Sequence, residues 1–149
     1  MDTAHTPRSA DWRARIEAAF AAQGLMATLG ARLSAAAPGM VEITAPIRPE
    51  TGQHHGHAHA GLTFSLGDTA AGLAAQTLMG AQDGVVTVEI KINLMAPGAG
   101  DSLRAVGRVE RAGRALTVVR ADVYADTAGR APVQIATLLG TMMTMRGRT

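Results

Sequence analysis

The residues able to do chemistry in this 149-residue chain are concentrated in one stretch, residues 51–76, TGQHHGHAHAGLTFSLGDTAAGLAAQ. Four of the five histidines stand here, His54, His55, His57 and His59, followed by a helical pattern whose one charge is Asp68. No Lys or Arg lies three or four residues to either side of Asp68, so nothing on its own helix pairs with it. A carboxylate among Leu, Phe and Ala is costly unless something compensates, which marks Asp68 as a candidate general base or nucleophile. The plainer alternative is a structural carboxylate that caps a neighbouring strand or faces an oligomer contact. His59 stands just before the helical pattern, where N–H groups without intrahelical partners point outward and the helix dipole favours negative charge. A substrate carbonyl placed there would have its developing oxyanion stabilised by the backbone amides of Ala60 and Gly61.

The alternation His55-x-His57-x-His59 also fits a metal site, because imidazoles at period two on an extended segment project to one side. The loop offers no carboxylate near these histidines and is rich in glycine, so the expectation is no metal, with His54, His55 and His57 as loop side chains, some exposed and some helping to orient the site. Cysteine is absent, which excludes a disulfide framework, a thiolate nucleophile and a thiolate metal site.

These residues need a scaffold. With 47% hydrophobic and 17% charged residues the chain reads as folded rather than disordered, and its length suits one domain, 1–149, with 1–8 and 146–149 expected to fray. The first residues lack the apolar core of a secretory signal, and the most apolar run, Leu62–Met79, is interrupted by Asp68, three threonines and two glycines. No membrane span is expected, and a cytoplasmic location is. Residues 1–103 carry six Lys/Arg against nine Asp/Glu, and residues 104–149 eight Arg against three acids. Aromatics at 3% give nucleic-acid stacking little support, so the arginines read mainly as solvent faces of strands, with a phosphorylated small molecule as the sharper alternative.

Trp12, Ile16 and Phe20 recur every four residues, predicting a first helix capped by Ser9 and ended by Gly24. Residues 25–47 read as two strands about the Pro38-Gly39 turn, and 47–58 as a loop. From Ala60 to Met79 the pattern is helical and apolar all round, hence buried, with Ala and Gly allowing close approach of other backbone, until Gly80. Val86, Val88, Ile90, Ile92 and Leu94 alternate with polar residues, which puts Thr87 on the polar side of that strand. A tight turn at Ala112-Gly113-Arg114 joins two further strands, and a last one runs from Pro132 to Met145. The order predicts an α+β protein, an antiparallel sheet of about six strands packed on one central helix.

The stretch from Gln53 through His59-Ala60-Gly61 to Gly67-Asp68-Thr69 resembles the signature of hotdog-fold acyl-CoA thioesterases of the phenylacetate-pathway (PaaI-like) type. That signature has an amide residue, a His-Gly-Gly six residues on and an aspartate nine residues after the histidine. Here Gln53 replaces the asparagine of many members and Ala60 the first glycine, which keeps the backbone N–H. The segment beginning Thr87-Val-Glu-Ile resembles the family strand with Ser or Thr at its start, and the likeness spans roughly residues 20–145. It implies a hotdog fold, with sheets joined edge to edge in a homodimer and dimers commonly paired into tetramers. It further implies a site at the dimer interface, Gln53 and His59 from one chain and Asp68 and Thr87 from the other. The implied substrate is an acyl-CoA thioester, the implied catalytic set Asp68, His59, Gln53 and Thr87 with the amides of Ala60 and Gly61, and no cofactor or nucleic-acid partner is expected. A non-catalytic acyl-CoA-binding module and an enoyl-CoA hydratase on the same fold are the alternatives.

Overall fold

The computed structural model describes residues 5–147; residues 1–4 and 148–149 of the expected frayed ends lie outside these. Near the start, the His5 ring nitrogen donates to the Val109 carbonyl at 3.2 Å. The stripe of Trp12, Ile16 and Phe20 forms α1 (Trp12–Ala21), with Ile16 fully buried. Its cap is Asp11 rather than Ser9, whose hydroxyl donates to the Asp11 carboxylate instead of a helix amide.

Gly24 does not end α1 but opens a second helix, α2 (Gly24–Thr28), where a strand was expected. Leu, Met and Ala are good helix formers, and burying Met26 alone while Leu25 stays exposed needs no period of two. Gly30 ends α2 with φ 66°, its N–H donating to Ala27 and that of Ala31 to Met26, the paired bonds of a Schellman motif. The hairpin about Pro38-Gly39 follows as expected, β1 (Arg32–Ala37) and β2 (Met40–Pro46).

After a 3₁₀ turn (Pro49–Thr51) comes the long helix α3 (Ala60–Gln76), then β3 (Gly84–Leu94), β4 (Ser102–Ala112), β5 (Leu116–Asp126) and β6 (Val133–Met145). The six strands form one antiparallel sheet in the order β1-β2-β4-β5-β6-β3. α3 stops three residues short of Met79 because the Thr77 hydroxyl turns back to the Ala74 carbonyl and accepts the Gly39 N–H. No helix among the described residues is long and apolar enough to cross a membrane.

The small residues of α3 let it lie directly on the sheet. A Cβ on Gly107 of β4 would fall 2.3 Å from the Ala70 carbonyl carbon, a backbone atom with nowhere to go. Gly107→Ala is therefore expected to cost at least about 3 kcal/mol, at the upper end for overpacked cores, read as a lowered denaturation midpoint at unchanged m-value. Retention of wild-type stability would show that the helix can lift from β4 at little cost.

Register shifts interrupt the ladders at Leu33/Ala35, Thr87/Glu89, Val109/Arg111 and Val123/Tyr124. Such bulges bend and twist a strand, curving the sheet around α3. The one at Val88 also corrects the expected parity of β3. Before it, Val85 and Thr87 face inward, Thr87 opposite the buried Met142; after it, Ile90 and Ile92 do. Val86 and Val88, expected on the buried side, are 41% and 54% exposed.

Arg104, Arg108 and Arg120 stand on the outward face of the sheet. Arg104 is held by Asp126 (2.9 Å) and Glu42 (3.6 Å) and lies 4.9 Å from the centre of the Tyr124 ring. The Asp126 hydrogen bond pushes its pKa above the ordinary arginine value. Arg120 is likewise held by Asp122 at 3.2 Å.

Candidate active site

The loop before α3 is pinned at both ends. Gly52 and Ala58 pair across it, Ala58 N–H donates to Gly98 at 2.9 Å, and Gly56 supplies a left-handed turn at φ 82°. The His59 N–H donates to the Thr51 carbonyl (2.9 Å), placing His59 as the N-cap of α3.

Capping decides which amide is left for a ligand. The His59 Nδ1 accepts from Gly61 N–H at 2.8 Å, while the N–H groups of Leu62 and Thr63 reach the His59 carbonyl. The Gly61 amide is thus engaged within the chain. Ala60 N–H has no acceptor among the described residues, and both residues are exposed at the open end of the helix. A helix-start amide left without an acceptor can donate to an anionic oxygen.

Beside it lies a cavity of about 420 Å³ whose walls include Gln53, His57, His59, Ala60, Leu94 and Ile135. The Gln53 side-chain oxygen Oε1 accepts the His55 N–H, which fixes the side chain and leaves its amide N–H groups as donors at the cavity wall. His54 also lines the cavity, and the His55 ring lies against it, tilted by 44° with centroids 3.9 Å apart.

Asp68 stands elsewhere. Nine residues at 1.5 Å rise put it about 13 Å along the helix from His59, in a second cavity of about 350 Å³ that shares no wall residue with the first. The burial suggested by its apolar neighbours belongs to Leu66, Gly67, Ala70 and Ala71; Asp68 itself is half-buried. The Thr87 hydroxyl donates to Asp68 Oδ1 at 2.8 Å, with Met142 Sδ 3.4 Å from the same hydroxyl. The Val88 bulge is what turns Thr87 toward the helix, removing the conflict between its place in the strand and a role beside Asp68. Asp68 Oδ2 has no protein donor among the described residues, so one oxygen is oriented and the other is available.

The structure thus brings together Gln53, His59 and the Ala60 amide at one cavity, and Asp68 and Thr87 at the other. Sequence reasoning missed Gln23, Gly72 and Gln76, which line the Asp68 cavity. Gly72 and Gln76 carry a signal in retrospect, since they follow Asp68 at intervals of four and share its face; Gln23, set at the break between α1 and α2, carries none.

A curved antiparallel sheet wrapped on one long helix matches known proteins. The Thioesterase superfamily model covers residues 55–131. A thioesterase family protein from Silicibacter pomeroyi has a crystal structure of the same fold, 38% identical, covering 91% of this chain and 99% of that one with a TM-score of 0.89. A Halobacterium salinarum protein named as an esterase is 29% identical over 130 residues, 83% of this chain and 85% of its own length. The fold is also that of the PaaI protein from the phenylacetic acid degradation operon of E. coli, at 22% identity and TM-score 0.80, over 94% of this chain and 97% of that one. The chain belongs to the Thioesterase superfamily. It has the hotdog fold and is a thioester hydrolase.

Proposed function

We propose that this protein hydrolyses acyl-CoA thioesters to a carboxylic acid and free CoA, in sites assembled between two copies of the chain. The observation that carries this reading is the separation of the two half-sites. An amide about 12 Å along the helix from the carboxylate cannot act on the same carbonyl within one chain, and each half-site opens onto its own cavity. A second copy brings the Asp68 cavity of one chain against the Ala60 amide of the other. The edge strand β3 favours such a pairing: it is eleven residues long, ends the sheet, and exposes Val86 and Val88. An uncovered edge of that length invites another strand. By the family pattern, dimers pair further into tetramers.

In the assembled site the thioester carbonyl accepts from Ala60 N–H, with Gln53 and His59 positioning the group beside it. Asp68, oriented by Thr87, takes a proton from water as the water oxygen bonds to the carbonyl carbon, or bonds to that carbon directly to give a mixed anhydride. Negative charge collects on the carbonyl oxygen, where the Ala60 dipole stabilises it more than in the ground state. Collapse breaks the C–S bond, and the thiolate of CoA leaves and takes up a proton; the acid is released at once on the general-base route, or after water hydrolyses the anhydride and restores the Asp68 carboxylate on the other. Among the described residues no Lys or Arg lines either cavity, which assigns the phosphates of CoA to the surface rather than to the cavities.

Turnover across short, long and aryl acyl-CoA thioesters, followed by the thiol released and the acid formed, tests the proposal. At least one class should give both products in equal amounts. A hydrated acyl-CoA product, or binding with no thiol released, would refute it.

A further inference from the structure

Glycine is a poor helix former, so each glycine inside α3 calls for a reason. Gly67 has one, since a Cβ there would come within 2.8 Å of the Leu138 side chain. Gly72 has none of that kind: nothing lies within 4 Å of a Cβ built on it. It follows Asp68 by four residues, so it shares its face one turn on, and it lines the same cavity of about 350 Å³. The space above Gly72 is the cavity. Gln76, a further turn along that face, and Gln23, from the break between α1 and α2, line the same cavity. Gln23 Oε1 accepts from the Thr69 hydroxyl at 3.4 Å, which leaves its amide N–H groups for another acceptor. The Gln76 side chain makes no hydrogen bond to protein among the described residues.

We propose that Gly72 is a specificity-determining position. Its missing side chain admits the acyl group past Asp68, and Gln23 and Gln76 select acyl groups that end in a hydroxyl or carbonyl. This rests on the hydrolase reading above. A plain alkyl end would strip water from two amides without replacing its hydrogen bonds, whereas a polar end replaces them. A side chain at position 72 would fill the passage without touching the fold.

The test uses acetyl-CoA, hexanoyl-CoA and terminally hydroxylated hexanoyl-CoA, with non-hydrolysable thioether analogues of each for binding by calorimetry. Gly72→Leu should lower kcat/KM for both hexanoyl substrates about 100-fold more than for acetyl-CoA, the scale on which pocket volume discriminates substrates. Gly72→Ala, which meets no atom, should fold with a melting temperature at or above wild type and shift the same ratio in the same direction. Gln23→Leu should abolish the wild-type preference for the hydroxylated chain over the plain one. An equal loss on all three substrates in Gly72→Leu, or none, overturns the assignment of Gly72, and an unchanged preference in Gln23→Leu overturns that of the amides. A wild type that binds the thioethers yet hydrolyses no thioester would sink the hydrolase reading alone; the binding contrast between chain lengths would still decide the role of Gly72.

Discussion

Replacing Asp68 with asparagine is expected to leave the protein folded and to lower kcat by about 10²–10⁴, the usual contribution of a positioned general base. Asparagine has the same shape and keeps an oxygen for the Thr87 hydroxyl, which donates to Oδ1 of the carboxylate at 2.8 Å. Packing around position 68 therefore does not change, and the side chain lines a cavity rather than filling a core site. What is lost is the charge on the second oxygen, the one without a protein partner. Without it no group in that half-site can take a proton from water or attack a carbonyl. The loss should appear in kcat under saturating substrate, at unchanged melting temperature and oligomeric state. Turnover near wild type from a normally folded variant would remove Asp68 from the chemistry and leave it as a structural residue of the cavity wall.

The elements that hold this carboxylate were legible where pattern and burial coincide. A helix apolar on all sides reads as buried, so α3 could be read from its composition, and the tight turn at Ala112-Gly113-Arg114 marked the hairpin of β4 and β5. Reading failed where one residue changes the geometry without changing the pattern. Leu25–Thr28 is too short to show whether its apolar residues repeat at two or at 3.6, and Gly30 was not recognised as the end of a helix. The bulge at Val88 adds a residue to an otherwise regular alternation, so Val86 and Val88 looked like core and Thr87 like surface. The resemblance named Thr87 correctly as a neighbour of Asp68 while the parity of its strand argued the reverse, and only the register with β6 reconciles them. Among the amides, Ala60 and Gly61 were indistinguishable until the His59 ring was seen to occupy one of them. Gly67 and Gly72 likewise look alike as letters; one is pressed by Leu138 and the other opens onto the cavity.

The separation of His59 from Asp68 along α3 leads to the second large effect. If each site takes His59 and the Ala60 amide from one chain and Asp68 with Thr87 from its partner, then His59→Ala and Asp68→Ala should each inactivate the homodimer, yet restore activity to one another. In a heterodimer of the two variants, one site collects both substitutions and the other collects neither. Unfolding and refolding equal amounts together gives about half heterodimers, so about a quarter of all sites are intact, as a two-fold interface requires. Activity should therefore return to about a quarter of wild type per site, from single variants each at least about a hundredfold impaired. His59→Ala is expected to remain folded, because His59 is exposed and the structural part its side chain plays is the helix cap, a contribution of about 1 kcal/mol. Light scattering on each variant and on the mixture must show the same assembly, and differently tagged chains establish that heterodimers form. If heterodimers form and activity stays at the level of the single variants, His59 and Asp68 act within one chain. The distance along α3 would then demand that the helix deform or that His59 act away from the carbonyl, and the thioester would have to bind by a different arrangement from the shared site argued above.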